Sequence, residues 1–116
     1  MKNRPFHHRL GFALAGLKEG WRRERSFRTH SIFAVLAGLG LILLRPAAIW
    51  WAIVALVVAL VLAMELFNSA IEALTDHLHP DQHPEIRIVK DMAAGGVLIL
   101  SLASLVIALA LVTSAF

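Results

Sequence analysis

Apolar residues run almost without interruption through three segments of the chain. Residues 31–44 and 47–64 contain no charged side chain, and residues 92–116 form an uncharged stretch of 25 residues. A helix needs about 20 apolar residues to cross the hydrocarbon core of a bilayer. Because the first segment is short, we expect its helix to begin before Ser31 and to include Arg28 and His30 at the membrane interface. The pattern predicts an all-α integral membrane protein with three transmembrane helices.

A different pattern marks the N-terminal region. Leu10, Leu14, Leu17 and Trp21 recur at helical spacing, with charged residues between them. An apolar stripe of this kind is typical of an amphipathic helix that lies on the membrane surface. The alternative, a disordered basic tail, does not explain the regular stripe.

Two breaks separate the predicted spans. Proline disfavours helix at the residue before it, so Arg45-Pro46 ends the first span. The polar, proline-containing stretch 77–84 separates the second span from the third. We therefore expect a single domain over residues 1–116, with a surface helix at about 7–27 and span-containing helices at 28–45, 47–78 and 87–115.

Composition and charge support a membrane location. Apolar residues make up 59% of the chain and charged residues only 16%, which a soluble domain of 116 residues cannot accommodate. The pI near 10.2 alone would suit a nucleic-acid-binding protein. However, eight of the eleven Lys and Arg residues precede residue 29. Basic segments stay on the cytoplasmic side of a membrane. We expect a membrane protein with a cytoplasmic N-terminus, an external turn at 45–46 and a cytoplasmic loop at 76–90.

An acidic stripe follows the second apolar segment. At 100° per residue, Glu65, Asn68, Glu72 and Asp76 share a stripe about 80° wide. An ionisable residue at bilayer depth is costly and usually marks a functional site. Glu65 is the deepest, which favours a general base or proton carrier over a protonated carboxyl that bonds another helix. Asn68 suits a functional site and an interhelical hydrogen bond equally well.

Charged residues elsewhere in the chain suggest a phosphate and metal site. Glu72 together with Glu24 can bind Mg²⁺, which takes one or two carboxylates plus substrate phosphates. The alternative for Glu24 is an ion pair with neighbouring arginines. Lys90 can hold a phosphate, or it can be an ordinary interfacial lysine. His77 and His79, with His83, suggest a metal site, but a solvated histidine-rich loop is the better interpretation.

Three motifs resemble the prokaryotic integral-membrane diacylglycerol kinase family, which includes undecaprenol kinases. They are Glu24-Arg-Ser-Phe-Arg28, Glu65-Leu-Phe-Asn-Ser-Ala-Ile-Glu-Ala73 with Asp76, and Lys90-Asp-Met-Ala93. The resemblance runs from about residue 10 to near the C-terminus. It implies a homotrimer of three-span subunits, each with an N-terminal surface helix, and active sites shared between neighbouring subunits.

The resemblance also implies a reaction and a set of site residues. The reaction is ATP- and Mg²⁺-dependent phosphorylation of a lipid alcohol at the inner membrane face. Glu65 matches the catalytic base, Glu24 and Glu72 match the Mg²⁺ ligands, and Lys90 and Asp91 match nucleotide contacts. Further site residues implied by the resemblance are Asn68, Asp76, Asp81, Gln82 and His83.

The lipid acceptor has two candidates. Diacylglycerol, which would give phosphatidic acid, is the first. Undecaprenol is the alternative, because Leu14-Ala15 stands where the diacylglycerol branch typically has a Trp-Lys pair, and because several motifs look closer to undecaprenol kinases. Neither Arg4 nor Arg9 aligns with the basic N-terminal site residue of the family.

Two other classes of protein remain as rivals. A small proton-coupled transporter would use Glu65, but it leaves Glu24 and Lys90-Asp91 without a function. A purely structural helix bundle leaves the acidic stripe unexplained.

Overall fold

A computed structural model describes residues 3–116, which form four helices; Lys2, one of the N-terminal cations, lies outside the described residues. The helices are α1 (Phe6–Arg23), α2 (Arg25–Leu44), α3 (Ala48–Leu78) and α4 (Pro84–Ala115). The last three are long and apolar enough to cross a membrane. This confirms the all-helical architecture with three apolar helices that the sequence pattern predicts.

The break between α1 and α2 lies earlier than the sequence pattern predicts. Glu24 adopts an extended backbone conformation with φ −107° and ψ 110°, so α1 ends at Arg23 and not near residue 27. The second helix then begins at Arg25 and has 20 residues, including His30. This extension gives α2 the length that the apolar run 31–44 lacks by itself.

The fourth helix begins at Pro84, three residues before the predicted start. Proline is favoured in the first turn because its ring presets the helical φ and its missing N–H has no partner there. His83 precedes it, and its Nδ1 accepts a hydrogen bond of 3.1 Å from the backbone N–H of Glu85. These two residues together set the start of α4.

A tight turn connects α2 to α3. Arg45 has φ 49° and ψ 52°, the left-handed conformation that commonly ends a helix. Its backbone N–H donates to the carbonyl of Leu41 at 2.9 Å. Pro46 follows and cannot continue the helix. The two helices therefore form an antiparallel hairpin.

Packing at the hairpin end of the bundle centres on Leu41, Val54 and Leu111, one residue from each long helix. Most other large apolar side chains are exposed in the single chain. Such exposure is stable in a bilayer, because lipid tails are as apolar as leucine. The three spans therefore need little mutual burial.

Close approaches hold the opposite end of the bundle together. Gly20 of α1 lies against Leu66 of α3, so close that a Cβ on Gly20 would clash with the leucine side chain. A Cβ on Gly96 of α4 would lie 3.2 Å from the sulfur of Met64. The C-terminal half of α3 thus meets α1 and α4 at this end, where its acidic stripe also lies.

Candidate active site

Glu65 lies inside the helix bundle. Among residues 3–116 it is the only charged residue that the fold buries, with 4% of its surface exposed. Its Oε1 lies 2.6 Å from Nδ1 of His30 on α2. The contact is close enough for an ion pair, but the ring N–H is not aligned to form a hydrogen bond. Sequence reasoning placed His30 at the membrane interface and missed this contact, because the two residues are 35 positions apart and on different helices.

Asn68 follows Glu65 by almost one helical turn and is half-buried. Its side-chain oxygen is buried and has no hydrogen-bond partner among the described residues. A buried polar atom without a partner costs about 1–3 kcal/mol. Within residues 3–116 the Asn68 side-chain oxygen makes no interhelical hydrogen bond.

A polar cavity of about 440 Å³ lies where α3 ends and α4 begins. The fold brings five of the residues implied by the resemblance to this cavity. They are Asp76, Asp81, Gln82, His83 and Lys90. Arg87 also lines the cavity, which sequence reasoning did not single out. Lys90 and Arg87 are the cations that line this cavity, and Asp76 and Asp81 are the carboxylates that line it.

Lys90 and Asp76 form an ion pair that connects α4 to α3. Lys90 is the less exposed of the two, with 29% of its side chain accessible. The neighbouring Asp91 does not line the cavity, and one of its oxygens lies 3.2 Å from Nε of Arg87. Of the predicted Lys90-Asp91 pair, the single chain therefore brings only the lysine into the cavity.

Glu24 and Glu72 are half-buried, and neither forms an ion pair with any residue from 3 to 116. The arginines near Glu24 make other contacts. Arg22 and Arg23 pair with Glu19 at 3.0 and 2.8 Å. The structure thus offers no support for Glu24 as a partner of its neighbouring arginines.

Arginine side chains also form hydrogen bonds and ion pairs at the C-terminal end of α1. The hydrogen bond from Arg22, aided by the charges of Arg22 and Arg23, lowers the pKa of the Glu19 carboxyl. Arg28 donates to the backbone carbonyls of Trp21 and Arg22 at 2.8 and 3.0 Å. Arg28 therefore binds the C-terminal turn of α1, where the helix dipole favours a cation.

No group of three or more His, Asp or Glu side chains within the described part of the chain is placed to hold a metal. His77, His79 and His83 therefore form no metal centre in residues 3–116. Glu24 and Glu72 nevertheless provide the hard oxygen donors that Mg²⁺ prefers. Mg²⁺ commonly takes one or two carboxylates and completes its shell with water and phosphates. The donor set fits such a site.

The acidic stripe runs along α3 from the buried interior to the polar cavity. With a rise of 1.5 Å per residue, Glu72 lies about 10 Å and Asp76 about 16 Å from Glu65 along the helix axis. A second cavity of about 330 Å³, lined almost entirely by apolar residues of α2, α3 and α4, begins at His30 and extends to Leu44. The Glu65–His30 pair therefore lies between an apolar cavity and a polar stripe.

Comparison with known proteins identifies the family. Residues 11–112 match the family described as "Prokaryotic diacylglycerol kinase". The chain belongs to the prokaryotic diacylglycerol kinase family. It is accordingly a lipid kinase and a multi-pass membrane protein, and not the transporter or structural bundle that the pattern alone left open.

Individual members of the family show similar levels of identity. An undecaprenol kinase from Bacillus subtilis is 33% identical over 94 residues, which cover 81% of this chain and 76% of the relative. A diacylglycerol kinase from Escherichia coli K12 is 32% identical over 89 residues, covering 77% and 73%. A diacylglycerol kinase from Synechocystis is 33% identical over 97 residues, covering 83% of this chain but only 55% of the longer relative.

Proposed function

We propose that this lipid kinase transfers the γ-phosphate of ATP to the primary hydroxyl of diacylglycerol and so produces phosphatidic acid. The observation that carries the proposal is the order of polar groups along α3. Glu65 is buried and contacts His30, which lines the apolar cavity; Glu72 follows along the helix, and Asp76 lines the polar cavity. That order matches what the reaction needs, with lipid at one end, the transferred phosphate in the middle and nucleotide at the other.

Glu65 acts in this proposal as the general base. In-line transfer requires the lipid hydroxyl to lose its proton as its oxygen attacks the γ-phosphorus and the bond to ADP breaks. A carboxylate must lie within hydrogen-bond reach of that hydroxyl to accept the proton. The hydroxyl of a membrane lipid can reach a buried residue such as Glu65 while its hydrocarbon stays among apolar side chains. Asn68, on the same helix face, is placed to orient the hydroxyl or a phosphate oxygen.

The polar cavity is the proposed nucleotide site. Lys90 and Arg87 supply positive charge there, and Asp81, Gln82 and His83 supply hydrogen-bonding groups from the loop. Asp76 holds Lys90 in place through their ion pair. Binding of phosphates would draw Lys90 toward the nucleotide. Asp91 is assigned to the same site on the resemblance of Lys90-Asp91 to the family motif.

Glu24 and Glu72 are the proposed Mg²⁺ ligands. Both carboxylates lack a charged partner in residues 3–116, so they are free to bind a cation without breaking an existing ion pair there. Bound Mg²⁺ would neutralise phosphate charge as it develops during transfer. Glu24 lies at the junction of α1 and α2, so it would tie the N-terminal helix to the reaction centre.

We further propose a homotrimer in the bacterial inner membrane, with the active sites between subunits. Under the positive-inside rule, the N-terminal cations favour a cytoplasmic location for the N-terminus, the acidic stripe and the polar cavity. α1 would lie on that surface, since Leu10, Leu14 and Leu17 are exposed along it. The buried Asn68 oxygen, which has no hydrogen-bond partner in residues 3–116, favours a contribution from a neighbouring subunit.

Undecaprenol is the second candidate acceptor. The identity to the Bacillus subtilis undecaprenol kinase equals or slightly exceeds the identity to the diacylglycerol kinases. The Leu14-Ala15 pair is a further point in its favour. Both acceptors are lipids with a primary hydroxyl, so both are compatible with the same arrangement of Glu65 and Glu72.

A paired acceptor assay tests the proposal. Purified protein in lipid vesicles receives γ-labelled ATP, Mg²⁺ and either diacylglycerol or undecaprenol. We expect labelled phosphatidic acid, and a loss of about 100- to 10,000-fold for Glu65→Gln with retained binding of Mg-ATP. Faster labelling of undecaprenol would assign the second acceptor. Absence of a labelled lipid with both acceptors would refute a kinase acting on either of them, and near-normal turnover of Glu65→Gln would refute the base role.

A further inference from the structure

We propose that His30 is a positioning residue that holds the Glu65 carboxylate in its reactive orientation. The proposal rests on the base role of Glu65 proposed above. Its starting point is the 2.6 Å contact between His30 Nδ1 and Glu65 Oε1, which joins α2 to α3 inside the bundle. Neither the sequence motifs nor the family assignment gives His30 a role.

The environment of Glu65 makes this contact important. Burial of a carboxylate is costly unless it is paired or hydrogen-bonded. His30 is the only basic side chain within 4 Å of a Glu65 oxygen among residues 3–116. The nearby Arg28 is occupied at the end of α1, where it donates to two backbone carbonyls. His30 is therefore the basic group on which the buried carboxylate depends within the described chain.

His30 also lies between the proposed base and the apolar cavity. His30 contacts Glu65 and also lines one end of the apolar cavity, whose other lining side chains are almost all aliphatic or aromatic. A lipid whose hydrocarbon occupied that cavity would bring its hydroxyl to this end. Nδ1 of His30 can then donate to Oε1 of Glu65 and leave Oε2 free to accept the hydroxyl proton. The ring must rotate for this N–H to align, and catalytic hydrogen bonds often tighten only when substrate binds.

The competing explanation is a purely structural contact that fastens α2 to α3. The two roles differ in what they predict for turnover. A misplaced catalytic group lowers the rate of the chemical step by about 100-fold even when the fold and substrate binding are intact. A lost structural contact lowers stability without a selective effect on kcat.

Three variants separate these roles. His30→Leu removes the donor with a side chain of similar bulk, whereas His30→Asn keeps an amide donor near the position of Nδ1. Thr29→Ala changes an exposed neighbour on the same helix and serves as the control. In the lipid kinase assay we expect His30→Leu to lose about 10- to 100-fold in kcat with an unchanged KM for ATP. His30→Asn should recover most of that loss, and Thr29→Ala should match the wild type.

A spectroscopic measurement tests the contact independently of turnover. The chain contains six histidines, and ¹⁵N-histidine labelling with His30→Asn as reference assigns the His30 imidazole signal. Glu65→Gln should shift the His30 signal and leave the other five histidine signals in place. Thermal unfolding of each variant in detergent then shows whether the fold is kept.

The outcomes are distinct. Near-normal kcat for His30→Leu overturns the positioning role, as does equal loss in His30→Leu and His30→Asn. An unchanged His30 signal in Glu65→Gln overturns the contact itself. If Glu65→Gln retains turnover, Glu65 is not the general base, and the positioning role of His30 is refuted together with the base role. If Glu65→Gln is inactive while His30→Leu is active, only the inference fails.

Discussion

At the scale of single residues, the acidic side chains of the candidate site form two groups, those with a basic partner and those without one. Glu65 contacts His30, Asp76 pairs with Lys90, and Asp91 pairs with Arg87. Glu24 and Glu72 have no ion-pair partner from residue 3 to residue 116. The paired carboxylates already have a basic side chain beside them, whereas the unpaired ones at half-buried positions are available to a cation.

Replacing Glu72 with alanine tests that distinction. The loss of even an outer-shell partner costs roughly 10- to 100-fold in metal affinity or activity, so Glu72→Ala should raise the Mg²⁺ concentration for half-maximal activity at least that much. Glu85→Ala is the matched control, because Glu85 is an exposed carboxylate in the first turn of α4. An unchanged Mg²⁺ titration for Glu72→Ala would remove Glu72 from the metal site. We expect the titration of Glu85→Ala to match the wild type.

Sequence reasoning reached some site residues and not others for a geometric reason. Helical periodicity relates residues of one helix, so it placed Glu65, Asn68, Glu72 and Asp76 on one face without a structure. It carries no information about which residue of another helix lies opposite. The His30 contact was therefore missed, as was the place of Arg87 in the polar cavity.

At the scale of helices, the close approach of α1 to α3 depends on Gly20. A larger side chain there meets Leu66, and a poorly accommodated side chain costs about 1–3 kcal/mol. We expect Gly20→Leu to displace α1, to lower the midpoint of thermal unfolding and to reduce kinase activity through Glu24. Gly16→Leu is the control, since nothing lies within 4 Å of a Cβ at that position.

The measurement for this pair is thermal unfolding in detergent together with protease sensitivity of the α1–α2 junction. Faster cleavage near Glu24 in Gly20→Leu, but not in Gly16→Leu, would show that α1 has detached. Equal behaviour of the two variants would mean that α1 is held elsewhere.

The helix boundaries also show where a sequence is informative. Proline marks the end of α2 and the start of α4, and both breaks were expected near those positions. The break at Glu24 contains neither glycine nor proline, so the pattern continued through it to residue 27. Across this break Arg28 of α2 donates to the carbonyls of Trp21 and Arg22 in α1, a contact that helical periodicity does not reveal.

At the scale of the whole molecule, active sites shared between subunits predict that two inactive variants recover kinase activity when they assemble into mixed trimers. Glu65→Gln subunits still have Lys90, and Lys90→Ala subunits still have Glu65. If a site takes its base from one subunit and its nucleotide cavity from the next, co-assembled trimers contain some sites with both residues. Random mixing in a cyclic trimer should restore roughly a quarter of wild-type activity.

A second mixture provides the control. Glu65 and Asn68 lie on the same face of one helix, so Glu65→Gln mixed with Asn68→Ala should restore nothing, provided that Asn68→Ala is itself inactive. Absence of recovery in the first mixture would place the base and the nucleotide in a single subunit. The contacts within one chain determine its helices and cavities. They do not identify the surface that contacts a second subunit.

The left-handed turn at Arg45 bears on how the protein enters the membrane. Only three residues separate α2 from α3, so the two helices are suited to insert together as a hairpin with Arg45 at its tip. In the proposed orientation, Arg45 at the tip of the hairpin moves across the membrane against the membrane potential. This movement costs about 2.3 kcal/mol per charge for each 100 mV. The free-energy cost of moving one arginine across the membrane is small for a pair of apolar helices. The cost of moving the cluster of cations before residue 29 is much larger. The same charges that place the N-terminus would thus make insertion of the hairpin proceed in one direction.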